Sequence, residues 1–152
     1  MPFCVDTSAW LDGWHRYYSP DVFPSLWLKI EESVERGDMI SSEEVYVELA
    51  KKDDDLLDWM KKRKAMLIPA EERIQRHMLA ILEAHPRLVD TLKGRSQADP
   101  FVIATAIENQ SVVVTGESFG NAARPRIPFV CEAMGLRCID FLQMIRELKL
   151  TF

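Results

Sequence analysis

Phe3-Cys4-Val5-Asp6-Thr7-Ser8 has a counterpart far along the chain, Val112-Val113-Val114-Thr115-Gly116-Glu117. Each begins with three apolar residues, too few for a helix, and then turns abruptly to hydroxyl residues and an acid. A short run with no polar side has no face to give to water. Both therefore read as strands of a parallel sheet, covered on both faces. In open α/β sheets ligands bind at the carboxyl edge, and each strand delivers a carboxylate there. Two acids brought to one edge repel each other unless a cation lies between them.

Between these runs the pattern alternates strand and helix. Helical periodicity starts at Ser25, with Leu26, Ile30 and Val34 on one face, and stops at Gly37. Met39-Ile40 reads as a short strand, followed by a helix from Ser41 to about Lys52 and another over Asp54 to Lys64. Met66-Leu67-Ile68 is a further short strand, and Glu71 to Ala84 is helical until Pro86 ends it. A turn is expected over Arg87 to Lys93, then a helix over Asp99 to Asn109. After the 112–115 strand come a helix near Phe129 to Met134, a strand around Arg137 to Asp140 and a C-terminal helix. The aromatic segment Trp10 to Pro24 reads as a loop. Such alternation implies βαβ units: one α/β domain over residues 1–152, three layers, with a central parallel sheet of four or five strands and Phe3 to Val5 in the middle.

The composition suits a single globular domain: 152 residues, 47% hydrophobic and 28% charged. The net charge of −5 argues against nucleic-acid binding through an overall positive field, although a metal bound among acids neutralises them locally. Cys4, Cys131 and Cys138 are odd in number and form no CxxC pair, which speaks against disulfides or a thiolate zinc site and for a reducing, cytoplasmic setting. His15, His77 and His85 lack metal-binding spacing. No run approaches the ~18 apolar residues that cross a bilayer, and no secretory segment is evident.

Four acids stand out, each with an ordinary explanation beside it. Asp6 reads equally as a helix cap, and Glu117 alone as a loop acid. Ser41-Ser42-Glu43-Glu44 fits a capping box that uses Glu44. Glu48 lies one turn further on, in a half-buried stretch where Lys51 and Lys52 are the nearest bases. Asp99-Pro100 is a standard helix start, with Asp at the cap and Pro first in the helix. An acid there can serve as cap and ligand together.

Taken in order, these acids and their settings resemble the PIN domain, a metal-dependent nuclease fold, over essentially the whole chain. The matching pieces are Val5-Asp6-Thr7-Ser8, Val45-Tyr46-Val47-Glu48-Leu49, Ala98-Asp99-Pro100-Phe101-Val102-Ile103-Ala104-Thr105-Ala106 and Val113-Val114-Thr115-Gly116-Glu117. Ile127-Pro128-Phe129-Val130-Cys131 and the aromatic segment resemble a PIN-like subfamily carried mostly by prokaryotes. The resemblance implies that Asp6, Glu48, Asp99 and Glu117 form a catalytic, metal-binding set. Thr7 and Thr115 would support it, and Arg124 and Arg126 would contact substrate phosphate. Two departures stand out: Glu117 where the family usually has Asp, and Pro100 directly after the third acid.

An all-carboxylate set suits Mg²⁺ or Mn²⁺ rather than zinc. Its members should repel one another without the ion, some with raised pKa. The expected function is a divalent-metal-dependent endoribonuclease acting on RNA, similar to the toxins of VapBC-type toxin–antitoxin pairs. An antitoxin protein would be a partner, and the chain would form a homodimer. The alternative is a catalytically inactive PIN-fold binding or scaffold module. A phosphoryl-transfer receiver domain is disfavoured, because no strand-borne Lys or paired acids after the first strand are evident.

Overall fold

The structure, a computed structural model, describes residues 1–51, 55–89 and 97–151. Lys52, Asp54, the 90–93 part of the expected turn and Ser96 lie outside these residues. Five short strands form the sheet: β1 (Phe3–Val5), β2 (Met39–Ser42), β3 (Leu67–Ile68), β4 (Val112–Val114) and β5 (Cys138–Ile139). Their order is β3-β2-β1-β4-β5 and every pairing is parallel. The expected central position of β1 is the observed one. Cys4 and Val5 have no exposed surface, and Val112 to Val114 almost none, because helices cover both faces.

The helices are α1 (Thr7–Leu11), α2 (Pro24–Glu35), α3 (Glu43–Leu49), α4 (Asp55–Lys61), α5 (Glu72–Ala84), α6 (Asp99–Glu108), α7 (Ile127–Ala133) and α8 (Phe141–Glu147). Among the described residues none is long and apolar enough to cross a membrane. Helix α6 buries Val102, Ile103, Ala104 and Ala106 and packs on β1, β2 and β4. Its sequence is apolar nearly all round because α5 covers much of its remaining surface.

The aromatic segment is not the loop its composition suggested. Helix α1 runs into a π-helical turn over Asp12–Tyr17, leaving only a short connection to α2. Trp10 and Trp14 stand one turn apart and meet Trp27 of α2, with ring centroids 6.4 and 4.8 Å away. Trp59 of α4 closes the group, 5.5 Å from Trp27. Gly13 lets Phe141 of α8 press against the turn, since a Cβ there would stand 2.6 Å from the Phe141 ring. Aromatic packing decides this segment over its weak helix propensity.

The start of α3 also differs from expectation. Ser41 stays in β2, fully buried, where its hydroxyl donates to the Val5 carbonyl at 2.7 Å and accepts from Trp10 Nε1 at 2.8 Å. Ser42 is the cap instead, accepting from the Glu44 backbone N–H at 3.2 Å. No capping box involving Ser41 and Glu44 forms. Glu43 accepts from the Ala70 N–H at 2.9 Å, which ties α3 to the segment after β3.

Candidate metal centre

The sheet itself fixes the first acid. The Asp6 N–H donates to the Val114 carbonyl at 2.9 Å, so hydrogen bonding between β1 and β4 runs one residue past the strand. Thr115 is fixed likewise, its N–H donating to the Ile139 carbonyl at 2.9 Å. With extended backbone (ψ 172°), Asp6 caps α1 by accepting from the Ala9 N–H at 2.8 Å. Two hydroxyls complete its shell. Thr115 donates to Oδ2 at 2.7 Å, and Ser8 lies 2.9 and 3.0 Å from the two oxygens. Ser8 also accepts from the Gly116 N–H at 2.9 Å, and Thr115 Oγ1 from the Glu117 N–H at 3.1 Å. One small network thus joins the ends of β1 and β4.

Asp99 reaches the same place from α6. The cap of that helix is Ala98, with no side-chain cap bond, and Asp99 and Pro100 are its first residues. The expected Asp99 cap is therefore absent, and its carboxyl lies in the cluster instead. Asp6, Asp99 and Glu117 each bring an oxygen to a point where all three lie within 4.8 Å of one another. That group can hold a metal ion. Glu117 is no ordinary loop acid: its side chain keeps only 8% exposure, and Oε2 accepts from Arg126 Nε at 2.9 Å.

Burial and mutual repulsion set the charge state. Desolvation, then the Glu117 charge, push the Asp6 carboxyl up to about 7, against the three hydrogen bonds that favour its ionised form. Asp99 is pushed up to about 9, first by burial, then by Glu117 and Asp6. A hydrogen bond to Glu117 holds its proton further, and Glu48 adds repulsion. Without an ion, this cluster retains protons near neutral pH.

Residues 3–152 match the family described as Domain of unknown function (DUF4411). The chain belongs to that family. No curated protein matches it. In this DUF4411 chain the three acids come together from the end of β1, the start of α6 and the segment after β4.

Glu48 is half-buried on α3 and close enough to act on Asp99, yet it is not part of the 4.8 Å group. Thr7 is buried, and its hydroxyl meets no hydrogen-bond partner among the described residues. Arg124 is exposed and its backbone N–H donates to Asn121 Oδ1 at 2.9 Å. Arg126 pairs with Glu117 and keeps 39% of its side chain exposed. Ser8, whose hydroxyl bonds Asp6 and the Gly116 N–H, is a site residue that the sequence does not single out. Its spacing of two from Asp6, in a strand-to-helix turn, was the available signal.

Gly116 completes the arrangement. A Cβ on it would stand 2.1 Å from Asp12 Oδ2, so any larger residue would displace the Asp12 carboxylate from this position. The close approach brings Asp12 to the edge of the site.

Proposed function

We propose that this chain is a divalent-metal-dependent nuclease that hydrolyses RNA phosphodiester bonds. The observation that carries the reading is the buried trio of Asp6, Asp99 and Glu117, gathered from three distant segments at the carboxyl edge of the sheet. A structural role alone gives no reason to bury three acids against one another. The order and setting of the acids, as in the PIN domains the sequence resembles, support it further.

The donor set fits Mg²⁺ or Mn²⁺, which take carboxylate and water oxygens and leave positions for substrate phosphate. Two ligands on one Mg²⁺ lie about 3 Å apart when adjacent and about 4.2 Å when opposite. Oxygens already within 4.8 Å of one another need only small shifts for all three to hold one ion. When bound, the ion lowers the pKa of coordinated water and offsets charge on the phosphate. The protein's own part is positional. Thr115 and Ser8 orient Asp6, Arg126 fixes one oxygen of Glu117, and Glu48 lies beside Asp99. Hydrolysis adds one water across a P–O bond, leaving a phosphate on one strand end and a hydroxyl on the other.

A cytoplasmic setting goes with this reading and agrees with the free cysteines. So do an antitoxin partner and a homodimer, as in the toxins the sequence resembles. One observation favours the inactive-module alternative: Arg126 already supplies a protein cation to Glu117.

Labelled RNA incubated with Mn²⁺, Mg²⁺ or EDTA separates the two. The nuclease reading expects cleavage with either ion, none with EDTA, and loss of cleavage in Asp6→Asn and Asp99→Asn. No metal-dependent cleavage, or unchanged cleavage in Asp6→Asn, rejects it.

A further inference from the structure

A cleft of about 420 Å³ opens beside the acidic trio, sharing Glu117 with it and Thr115 and Gly116 with the hydrogen-bond network around Asp6. Its other walls come from the π-helical turn and from the start of α8, over 120 residues away. Tyr17 and Tyr18 line it on one side, Asp140, Phe141 and Leu142 on another, and Asp12 beside Gly116. Tyr18 lies nearly parallel to Phe141, at 24° with centroids 6.0 Å apart, so its ring is held in place. Tyr17 beside the cleft is 55% exposed, with the Arg16 guanidinium over its ring 5.3 Å from the centroid.

The chemistry of the lining selects the occupant. Among the described residues, three carboxylates (Asp12, Asp140 and Glu117) and no Lys, Arg or His line the cleft, with Arg16 behind Asp12 at 4.0 Å and Arg126 behind Glu117 at 2.9 Å. A phosphate is repelled there. A flat ring bearing N–H donors is not, because aromatic walls stack with its face and carboxylates accept from its edge. The volume lies within the range of small-ligand sites and admits a base with its ribose. Among the bases, guanine presents two adjacent N–H donors on one edge, which match the two oxygens of a carboxylate. Cytosine and adenine offer one amino group, and uracil a single imino N–H between two acceptors.

We propose that this cleft is a nucleobase subsite that takes guanine from a single-stranded stretch of RNA, with the neighbouring phosphate lying at the acidic trio. The nature of the substrate rests on the nuclease reading above; the cleft and its lining do not. Asp140 is the residue that reads the base edge. Its Oδ1 accepts from the Gln143 N–H at 2.8 Å, which fixes the carboxylate and leaves lone pairs on both oxygens. Tyr17 and Tyr18 supply the stacking face.

The test uses the four ribonucleosides, which carry no phosphate and need no metal, with the full chain in EDTA. Saturation-transfer NMR should show guanosine binding, and uridine binding on the order of tenfold more weakly. Asp140→Ser keeps a helix-capping side chain and should abolish the difference between guanosine and uridine. Tyr17→Ala changes an exposed residue and should weaken all four by a similar factor. Circular dichroism and the unfolding midpoint establish that both variants fold. Cleavage sites mapped on a random-sequence RNA with Mn²⁺ should lie beside guanines in wild type and lose that preference in Asp140→Ser. Guanosine binding without any RNA cleavage keeps the subsite and rejects the nuclease. Metal-dependent cleavage with no base preference and no nucleoside binding keeps the nuclease and rejects the subsite. Equal binding of guanosine and uridine, or an unchanged preference in Asp140→Ser, overturns the proposal.

Discussion

Raising the pH on the metal-free protein should weaken its fold, and Asp6→Asn should remove part of that weakening. Asp6 has a carboxyl raised from 3.8 to about 7, so between those values the folded chain holds a proton that the unfolded chain has lost. Stability rises with pH only where the unfolded state binds more protons. Here the folded state binds more, so the contribution is full below about pH 4 and is lost as pH rises to about 7. Some three units at about 1.4 kcal/mol each gives a loss on the order of 4 kcal/mol, a large part of a domain's usual 5–15 kcal/mol. Asp99, raised to about 9, carries the same downward slope to higher pH. Glu108 and Glu147 have lowered pKa through hydrogen bonds to His77 and Arg137, respectively, and therefore act with the opposite sign. Their window lies below 4.5, outside the range tested. Asn at position 6 keeps an oxygen for the Ala9 N–H and caps as well as Asp. Urea unfolding followed by tryptophan fluorescence in EDTA, from pH 5 to 8, reads the effect. Wild type should lose several kcal/mol over that range and Asp6→Asn distinctly less, with the variant more stable at pH 8. Adding Mn²⁺ should reverse the wild-type trend, because the ion binds the ionised carboxylates and releases their protons. A wild-type stability that is flat or rises from pH 5 to 8 would refute the reasoning.

Thr115→Val removes the hydroxyl that donates to Asp6 and accepts from Glu117; about 1–3 kcal/mol of stability should go with it. Denaturant midpoints measure this, and no change means the network contributes nothing. Glu48→Gln should reduce metal-dependent RNA cleavage while Glu44→Gln spares it, since Glu48 acts on Asp99 and Glu44 serves the helix start only through its backbone. The reverse pattern on labelled RNA would mean that the wrong glutamate was chosen. Arg126→Gln should weaken Mn²⁺ binding about fivefold by calorimetry, from the loss of roughly 1 kcal/mol of orientation. Tighter binding would show that the guanidinium competes with the ion instead of positioning its ligand.

The sheet was legible because β1 and β4 are uniformly apolar and end on acids, and that pattern has few other readings. The three clustered acids were legible for the same reason, together with the Asp99-Pro100 helix start. Finer detail failed where two placements differ by one residue. Ser41 and Ser42 both cap well, and only the hydroxyl bonds of Ser41 to Val5 and Trp10 show which of them remains in the strand. Asp99-Pro100 suits the cap and first position, or the first and second, and the helix takes the latter with the Asp99 carboxyl in the cluster. The π-helical turn was hidden because Trp14, Tyr17 and Gly13 are poor helix formers judged locally. The contacts of Trp14 with Trp27 and Trp59, and of Gly13 with Phe141, come from distant segments. The cleft was hidden more deeply still, since Tyr18 and Asp140 meet only through the fold.

Two devices offset the charge of the trio. Asp6 and Asp99 keep protons, whereas Glu117 takes the Arg126 guanidinium. They respond differently when an ion enters. A proton on a carboxyl oxygen occupies the lone pairs an ion needs, so it has to leave. Arg126 Nε donates to Glu117 Oε2 at 2.9 Å, and a carboxylate has further lone pairs to offer an ion. The guanidinium can therefore stay in place and hold the longer Glu117 side chain in one rotamer. A glutamate carboxylate on its longer side chain needs an anchor, and Arg126 is one. The pairing is local to the segment after β4, where Gly120 and Pro125 form a bridge that turns residue 126 back towards residue 117. Arg126 thus supports the acidic site from one side, while 39% of its side chain stays exposed to solvent.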